Sequence, residues 1–259
     1  MRILFVGDVV GEPGCEFLRK KLGGVKKNFG VDFCIVNAEN SAKGNGVTPF
    51  SAEFLLDSGA DLLTLGNHAL RRSEIYPYLE NERNPVIRPA NMHRTVPGRG
   101  MTVLSRGGKR LGVFNLLGNM YMDASANPFD AADEALRYFS AEGVKSILLD
   151  FHAEATSEKK CMAFYLDGKV SAVMGTHTHV QTADECILPL GTAAITDAGM
   201  TGPVNSVLGV KTQNVLGKMR TGMPARFDTA DGQCEMNCVY VEIDDATGRA
   251  LAVERLNIR

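Results

Sequence analysis

Residues 1–22 read MRILFVGDVVGEPGCEFLRKKL, and the order of chemical types in this stretch decides the fold. Ile3-Leu4-Phe5-Val6 is a short apolar run with the length and composition of a buried strand. Gly7 and Asp8 break it. From Glu12 to Leu22 apolar residues recur at helical spacing, at Phe17, Leu18 and Leu22. The pattern then repeats. Phe33–Val36 is the next strand and Pro49–Ser58 the next helix, capped by Thr48 with Pro49 at its first position. Asp61–Leu65 is a third strand. Further along, Pro128–Ala141 reads as a helix, and Ser146–Phe151 and Val170–Met174 as strands. Strands alternating with helices predict an α/β sandwich with helices on both faces of a sheet. The end of the chain changes character. Cys234–Ile243 and Leu251–Ile258 are β-rich and joined by Asp244-Asp245-Ala246-Thr247-Gly248, a hairpin signal. Met101–Leu116 also reads as antiparallel, so mixed or stacked sheets are expected.

Composition bounds the function. The chain has 259 residues without a repeat or linker, which predicts a single domain over 1–259. Lys and Arg number 28 against 30 Asp and Glu, so no large positive excess exists for non-specific nucleic-acid binding. Hydrophobic residues at 44% and charged residues at 22% exclude a disordered chain. The run Ile3–Val6 is too short for a signal-peptide core, and no uncharged stretch reaches the roughly 18 residues of a membrane helix. A cytoplasmic protein without membrane partners is therefore expected. Cys15, Cys34, Cys161, Cys186, Cys234 and Cys238 are scattered without a Cys-x-x-Cys motif. Cys234 and Cys238 share a strand face, but no further zinc ligands follow. All six are expected as reduced structural thiols.

The chemistry is concentrated at the strand ends. Asp8 comes after the first strand, Asn37-Ala38-Glu39-Asn40 after the second, and Gly66-Asn67-His68 after the third. His152 comes after the strand near 150, and Gly175-Thr176-His177-Thr178-His179 after the one near 173. Open α/β sheets build their sites at the carboxyl ends of strands. One rim thus receives Asp, Glu, Asn and His from five strands, including four of the five histidines. His nitrogen with carboxylate and amide oxygen, and no thiolate, suits Fe, Mn, Zn or Ni. The donors are too many for one tetrahedral ion. Two ions sharing a bridging carboxylate would use them all.

These runs, together with Arg88-Pro89-Ala90-Asn91 and Asp150-Phe151-His152-Ala153-Glu154-Ala155-Thr156-Ser157-Glu158-Lys159, resemble the calcineurin-like metallophosphoesterases. Within them the whole chain looks like the YmdB-like branch, of 2′,3′-cyclic-nucleotide 2′-phosphodiesterase type. The resemblance implies a four-layer α/β/β/α sandwich with mixed sheets and two metal ions per chain, Fe or Mn, with Zn or Mg as alternatives. One ion would take Asp8, Glu39, Asn40 and His179; the other Glu39, Asn67, His152 and His177. Most of the superfamily has a His where this chain has Val10, and in this branch Asn40 stands in for it. His68 resembles the acid that protonates the leaving oxygen.

The implied function is hydrolysis of small phosphodiesters or cyclic nucleotides, or of RNA ends, by a metal-bridged hydroxide. A homo-oligomer is implied as well. The alternatives are a phosphomonoesterase with the same metals and a non-catalytic nucleotide-binding regulator. Cys15, Leu70 and Asn119 stand where the branch usually has Arg, Trp and Arg.

Other features have plainer readings. His93 reads as a surface-loop histidine rather than a cleft residue touching phosphate, and Arg71-Arg72 as a solvated helix start rather than a phosphate clamp. Gly7, Gly66 and Gly175 read as points where the backbone nears the metals. Thr176, Thr178 and Asp150 read as partners holding the imidazoles. Met120, Met122, Met219 and Met223 read as core filler or cleft wall.

Overall fold

The computed structural model describes residues 1–123 and 125–259. The N-terminal half contains β1 (Arg2–Val6), β2 (Asp8–Val9), α1 (Gly11–Phe29), β3 (Phe33–Asn37), α2 (Pro49–Asp57) and β4 (Leu62–Thr64). It continues with α3 (Tyr76–Glu80), β5 (Val86–Ile87), β6 (Met101–Arg106) and β7 (Lys109–Leu117). Next come α4 (Pro128–Ala141), β8 (Ile147–His152), α5 (Thr156–Tyr165), β9 (Ala172–Thr176), β10 (Cys186–Ile187), β11 (Ala193–Ile195) and β12 (Met200–Pro203). The chain closes with α6 (Thr212–Thr221), β13 (Cys234–Ile243) and β14 (Ala250–Ile258).

These strands form two mixed sheets. The first runs β2-β12-β13-β1-β3-β4-β5, with β14 paired to β13. The second runs β10-β11-β9-β8-β7-β6. Strands β1, β3, β4 and β5 are parallel in the first sheet, and β7, β8, β9 and β11 in the second. Both expected antiparallel additions are present: β6 folds back on β7, and β13 on β14.

Alternation along the strands builds three cores. Leu4, Val6, Cys34 and Val36 point to an outer core with Leu18, Leu22 and Val25 of α1 and Leu55 of α2. Their sequence neighbours Ile3, Phe5, Phe33 and Ile35 meet Leu111, Val113, Leu148 and Met174 between the sheets. Phe114, Leu116, Leu149 and Phe151 face Ala132, Ala135 and Phe139 of α4 and Met162 of α5. The result is the expected four-layer α/β/β/α sandwich.

Helices α3 and α6 have no counterpart in the sequence pattern, and α1 and α5 depart from it. Helix α1 does not end at Leu22; it crosses Gly23 and Gly24 because Val25 still packs on the core. It stops where Gly30 adopts a left-handed conformation and its N–H reaches the last-turn carbonyls. Helix α5 has no clear apolar period in sequence, since its buried face includes Glu158 and Lys159 beside Met162 and Ala163. Helix α2 is capped by Thr48 and Ser51 reciprocally, with Pro49 in its first turn.

The inter-sheet layer changes chemistry along its length. Following the inward faces toward the carboxyl ends, Ile35 gives way to Asn37, Val113 to Asn115, Leu148 to Asp150 and His152, and Met174 to Thr176. All of these polar residues are buried. The apolar layer thus ends in a polar shelf at one rim.

Candidate metal centre

Asp8, Glu39, Asn40, Asn67, His68, His152, His177 and His179 come together above this shelf, each from the end of a strand or from the turn after it. Glu39 is central and 1% exposed. Its Oε1 lies 3.2 Å from both His152 Nε2 and His68 Nδ1, and accepts from Asn40 Nδ2 at 3.0 Å. Its Oε2 accepts from the His68 backbone N–H at 2.9 Å. Burial alone would raise the Glu39 carboxyl, but the charges and hydrogen bonds of His152 and His68 outweigh it and hold it well below the usual carboxylate range.

The partners outside the centre place a hydrogen on the outer nitrogen of each imidazole. Thr176 Oγ1 donates its one hydrogen to Asp150 Oδ1 at 2.7 Å, so it accepts from His152 Nδ1 at 2.9 Å. His179 Nδ1 faces the Leu208 carbonyl at 3.2 Å, and His177 Nε2 faces Glu154 Oε2 at 3.1 Å; both partners only accept. Each ring therefore turns its other nitrogen inward. His152 Nε2 lies 3.1 Å from His177 Nδ1 and 3.0 Å from Asn67 Oδ1. His179 Nε2 lies 3.3 Å from Asn40 Nδ2 and 3.6 Å from Asp8 Oδ1, which is buried without a hydrogen-bond partner.

Acceptor atoms crowded this closely demand positive charge, which a proton on His152 or a bound cation can supply. Burial lowers the His152 pKa, but Glu39, with Asp8 and Asp150 beyond it, pushes it up to about 9. Burial and the His152 charge together lower that of His177. Atoms of Glu39, His152 and His177 all lie within 4.8 Å of one another, a spacing that fits a cation between them. The donor set, the inward-turned nitrogens and the orphaned Asp8 oxygen fit bound metal.

The loop carrying two of these histidines is strained. His177 and His179 have φ of 103° and 65°, which costs of order 1–3 kcal/mol per residue. The residue between them is held instead: Thr178 donates to Asp197 Oδ2 through its backbone N–H at 3.0 Å and its hydroxyl at 2.8 Å. Buried Lys159 pairs with the same oxygen at 2.7 Å. Thr178 thus supports the loop rather than an imidazole, whereas Thr176 and Asp150 do support His152. Asp197 itself comes just after a three-residue strand and carries no sequence pattern.

The glycines divide in the same way. A Cβ on Gly66 would meet Glu39 Oε2 at 2.3 Å and His152 Cδ2 at 2.5 Å, so only glycine lets the chain pass the site. Gly7 and Gly175 instead make room for the backbone of Gly199 and Thr196, not for site residues.

Other motif residues have structural roles. Asn91 pins the end of β7 through Leu117 N–H and C=O, and Glu158 accepts from the N–H groups of Asn119 and Met120. Arg88 is buried against the carbonyls of Pro89 and Val96. His93 lies in a surface loop beside Thr95. Arg72 precedes a 3-10 turn and donates to the carbonyls of Lys43 and Asn45, so it holds a loop rather than starting a solvated helix. Met219 and Met223 are 77% and 66% exposed, which excludes a core role; Met122 packs partly against the α4–α5 core. Cys15 is buried with its thiol donating to the Ser41 carbonyl, Leu70 packs on the outer core, and Asn119 bonds to Ser125 and Ala126.

The family model for YmdB-like proteins matches residues 4–256. The chain is 44% identical over 258 residues to the 2′,3′-cyclic-nucleotide 2′-phosphodiesterase of Bacillus subtilis (strain 168), covering all of this chain and 97% of that one. A crystal structure of a hypothetical protein from Thermus thermophilus superposes with a TM-score of 0.93 at 39% identity, covering 99% of this chain and 98% of that one. One described as a novel phosphatase from Mycoplasma pneumoniae gives 0.92 at 31% identity, covering 100% and 93%. Sequence and architecture agree over their whole lengths, and the chain belongs to the YmdB-like family.

Proposed function

We propose that this chain is a hydrolase of nucleotide phosphodiesters, cyclic ones included, that works with two metal ions. The observation carrying the proposal is the convergence of inward-turned imidazole nitrogens on Glu39 and on the unpartnered Asp8 oxygen. Asp8, Glu39, Asn40 and His179 would hold one ion, and Glu39, Asn67, His152 and His177 the other. Fe or Mn suits these donors, with Zn or Mg as alternatives. Two such ions supply a hydroxide nucleophile near neutral pH and neutralise charge on the phosphoryl oxygens. The full-length relative named a 2′,3′-cyclic-nucleotide 2′-phosphodiesterase supports a diester substrate.

The remaining work falls to the protein. Asp150, through Thr176, fixes the His152 tautomer, and Glu154 and the Leu208 carbonyl fix those of His177 and His179. His68 Nδ1 is held by Asn40 Oδ1 at 3.0 Å and by Glu39, which leaves its Nε2 near Asn45 in the pocket wall. From there it can deliver a proton to the departing alkoxide, an effect worth about 10²–10⁴-fold. The pocket occupies about 380 Å³, with Val10, Leu208 and Phe227 as apolar walls.

A phosphomonoesterase is the second reading, favoured by the Mycoplasma structure described as a phosphatase. Turnover of bis-p-nitrophenyl phosphate and p-nitrophenyl phosphate with added Mn²⁺ decides between them. We expect faster diester hydrolysis. Monoester preference would support the second reading, and no turnover of either would leave a binding protein. The family resemblance also implies a homo-oligomer, which light scattering would measure.

A further inference from the structure

We infer that a basic cleft beside the site binds the backbone of a single-stranded RNA whose 3′-terminal cyclic phosphodiester occupies the site. The inference rests on the nucleotide-phosphodiesterase reading above and extends it to a polymeric substrate.

The cleft, about 850 Å³ against about 380 Å³ for the site pocket, is continuous with it: Gly44, Asn45, Phe227 and Thr229 line both. Its wall gathers Lys43, Arg71, Arg72, Lys211, Lys218 and Arg226 against Glu12, Asp228 and Asp231. That local excess departs from a chain with a net charge of −2. Lys211 pairs with Asp231 and Arg226 with Asp228, at 3.1 and 3.2 Å. Arg72 is engaged by loop carbonyls. Lys43, Arg71 and Lys218 are exposed and make no ion pair among the described residues. Three free cations in one concave wall, leading out of a phosphoester site, match a strand with one negative charge per phosphate.

Substrate chemistry gives the direction. A 2′,3′-cyclic phosphate uses both O2′ and O3′, so a chain can continue only from O5′. Any such substrate longer than a mononucleotide leaves the site as a 5′-ward strand. Phe227, 41% exposed at the junction of the two pockets, offers a face on which the penultimate base can stack. Lys218 Nζ sits over one face of that ring, 4.8 Å from its centroid, which leaves the opposite face for a base. In the reaction, water oxygen bonds to phosphorus, the P–O2′ bond breaks and O2′ takes a proton. The products are a 3′-phosphomonoester and a free 2′-hydroxyl on the terminal ribose.

The test compares the Mn²⁺-loaded enzyme on 2′,3′-cyclic AMP and on a ribotetramer ending in a 2′,3′-cyclic phosphate. We expect kcat/KM for the tetramer to fall more steeply with salt, the logarithmic slope differing by about 0.7 for each phosphate engaged. Lys43→Ala/Arg71→Ala/Lys218→Ala should raise KM for the tetramer about tenfold and leave the mononucleotide within twofold. Lys218→Glu alone, on an exposed helix face, should shift KM in the same direction. Equal salt slopes, equal losses on both substrates, or hydrolysis of the mononucleotide alone would overturn the cleft assignment while leaving the enzyme reading intact. Failure of the wild type on both substrates would overturn the underlying reading, and the cleft assignment with it.

Discussion

His68 shows how much one side chain's role depends on the partners of its two nitrogens. Its Nδ1 is tied to Asn40 and Glu39, and its backbone N–H to the other Glu39 oxygen, so the ring is fixed relative to the site centre. If it protonates the leaving oxygen, its value depends on how poor the leaving group is. Replacing His68 with Ala should leave folding and metal content near wild type. Hydrolysis of a diester with a ribose leaving group should fall about 10²-fold or more. Hydrolysis of a p-nitrophenyl ester should fall far less, because nitrophenolate departs without a proton. Equal losses on both would mean that the ring serves the phosphate instead, and loss of metal would make it a ligand. The residue types at this site were legible because each strand ends in a polar residue immediately after an apolar run. Glu154 and the Leu208 carbonyl were not, because nothing in their own neighbourhoods records that they orient a distant imidazole.

At the scale of elements, the β9 loop depends on a contact that crosses the second sheet. Lys159 of α5 and Asp197 after β11 form a buried pair, and Asp197 also accepts twice from Thr178. Removing one charge leaves the other buried and unpaired, a change that costs about 3–5 kcal/mol. Asp197→Ala should therefore lower the denaturation midpoint strongly. Lys159→Met/Asp197→Leu removes both charges and should recover much of that stability. It still leaves Thr178 without its acceptor, so His177 and His179 should relax from their left-handed conformations and metal retention should fall. A stable double variant with wild-type metal content would show that the pair acts on stability alone. Sequence periodicity recovered the longer strands and helices α2 and α4. It could not show β2, β5, β10, β11 or β12, which span two to four residues and hold too little pattern to read. It also truncated α1, whose second half depends on packing across Gly23 and Gly24 rather than on intrinsic helix preference.

For the molecule as a whole, three apolar layers decide which groups meet solvent. Cys34 and Cys238 lie in the outer core and Cys15 at its edge, and burial pushes the Cys15 and Cys238 thiols up to about 12. Cys234 is buried as well, whereas Cys161 and Cys186 are exposed. A thiol reagent at pH 8 should label two thiols in the folded protein and six after denaturation without reductant. Fewer than five in the denatured chain would reveal a disulfide. The same layering places the polar shelf at one rim, where strand ends from both sheets deliver Asp8, Glu39, Asn67, His152 and His177 to one point. These residues are proposed to hold two cations. Metal analysis of the reconstituted protein tests this most directly. The reconstituted protein should hold close to two first-row transition ions per chain, both lost on Glu39→Ala and chiefly one lost on Asp8→Ala. A wild-type stoichiometry that stays at one or below would contradict the two-cation site.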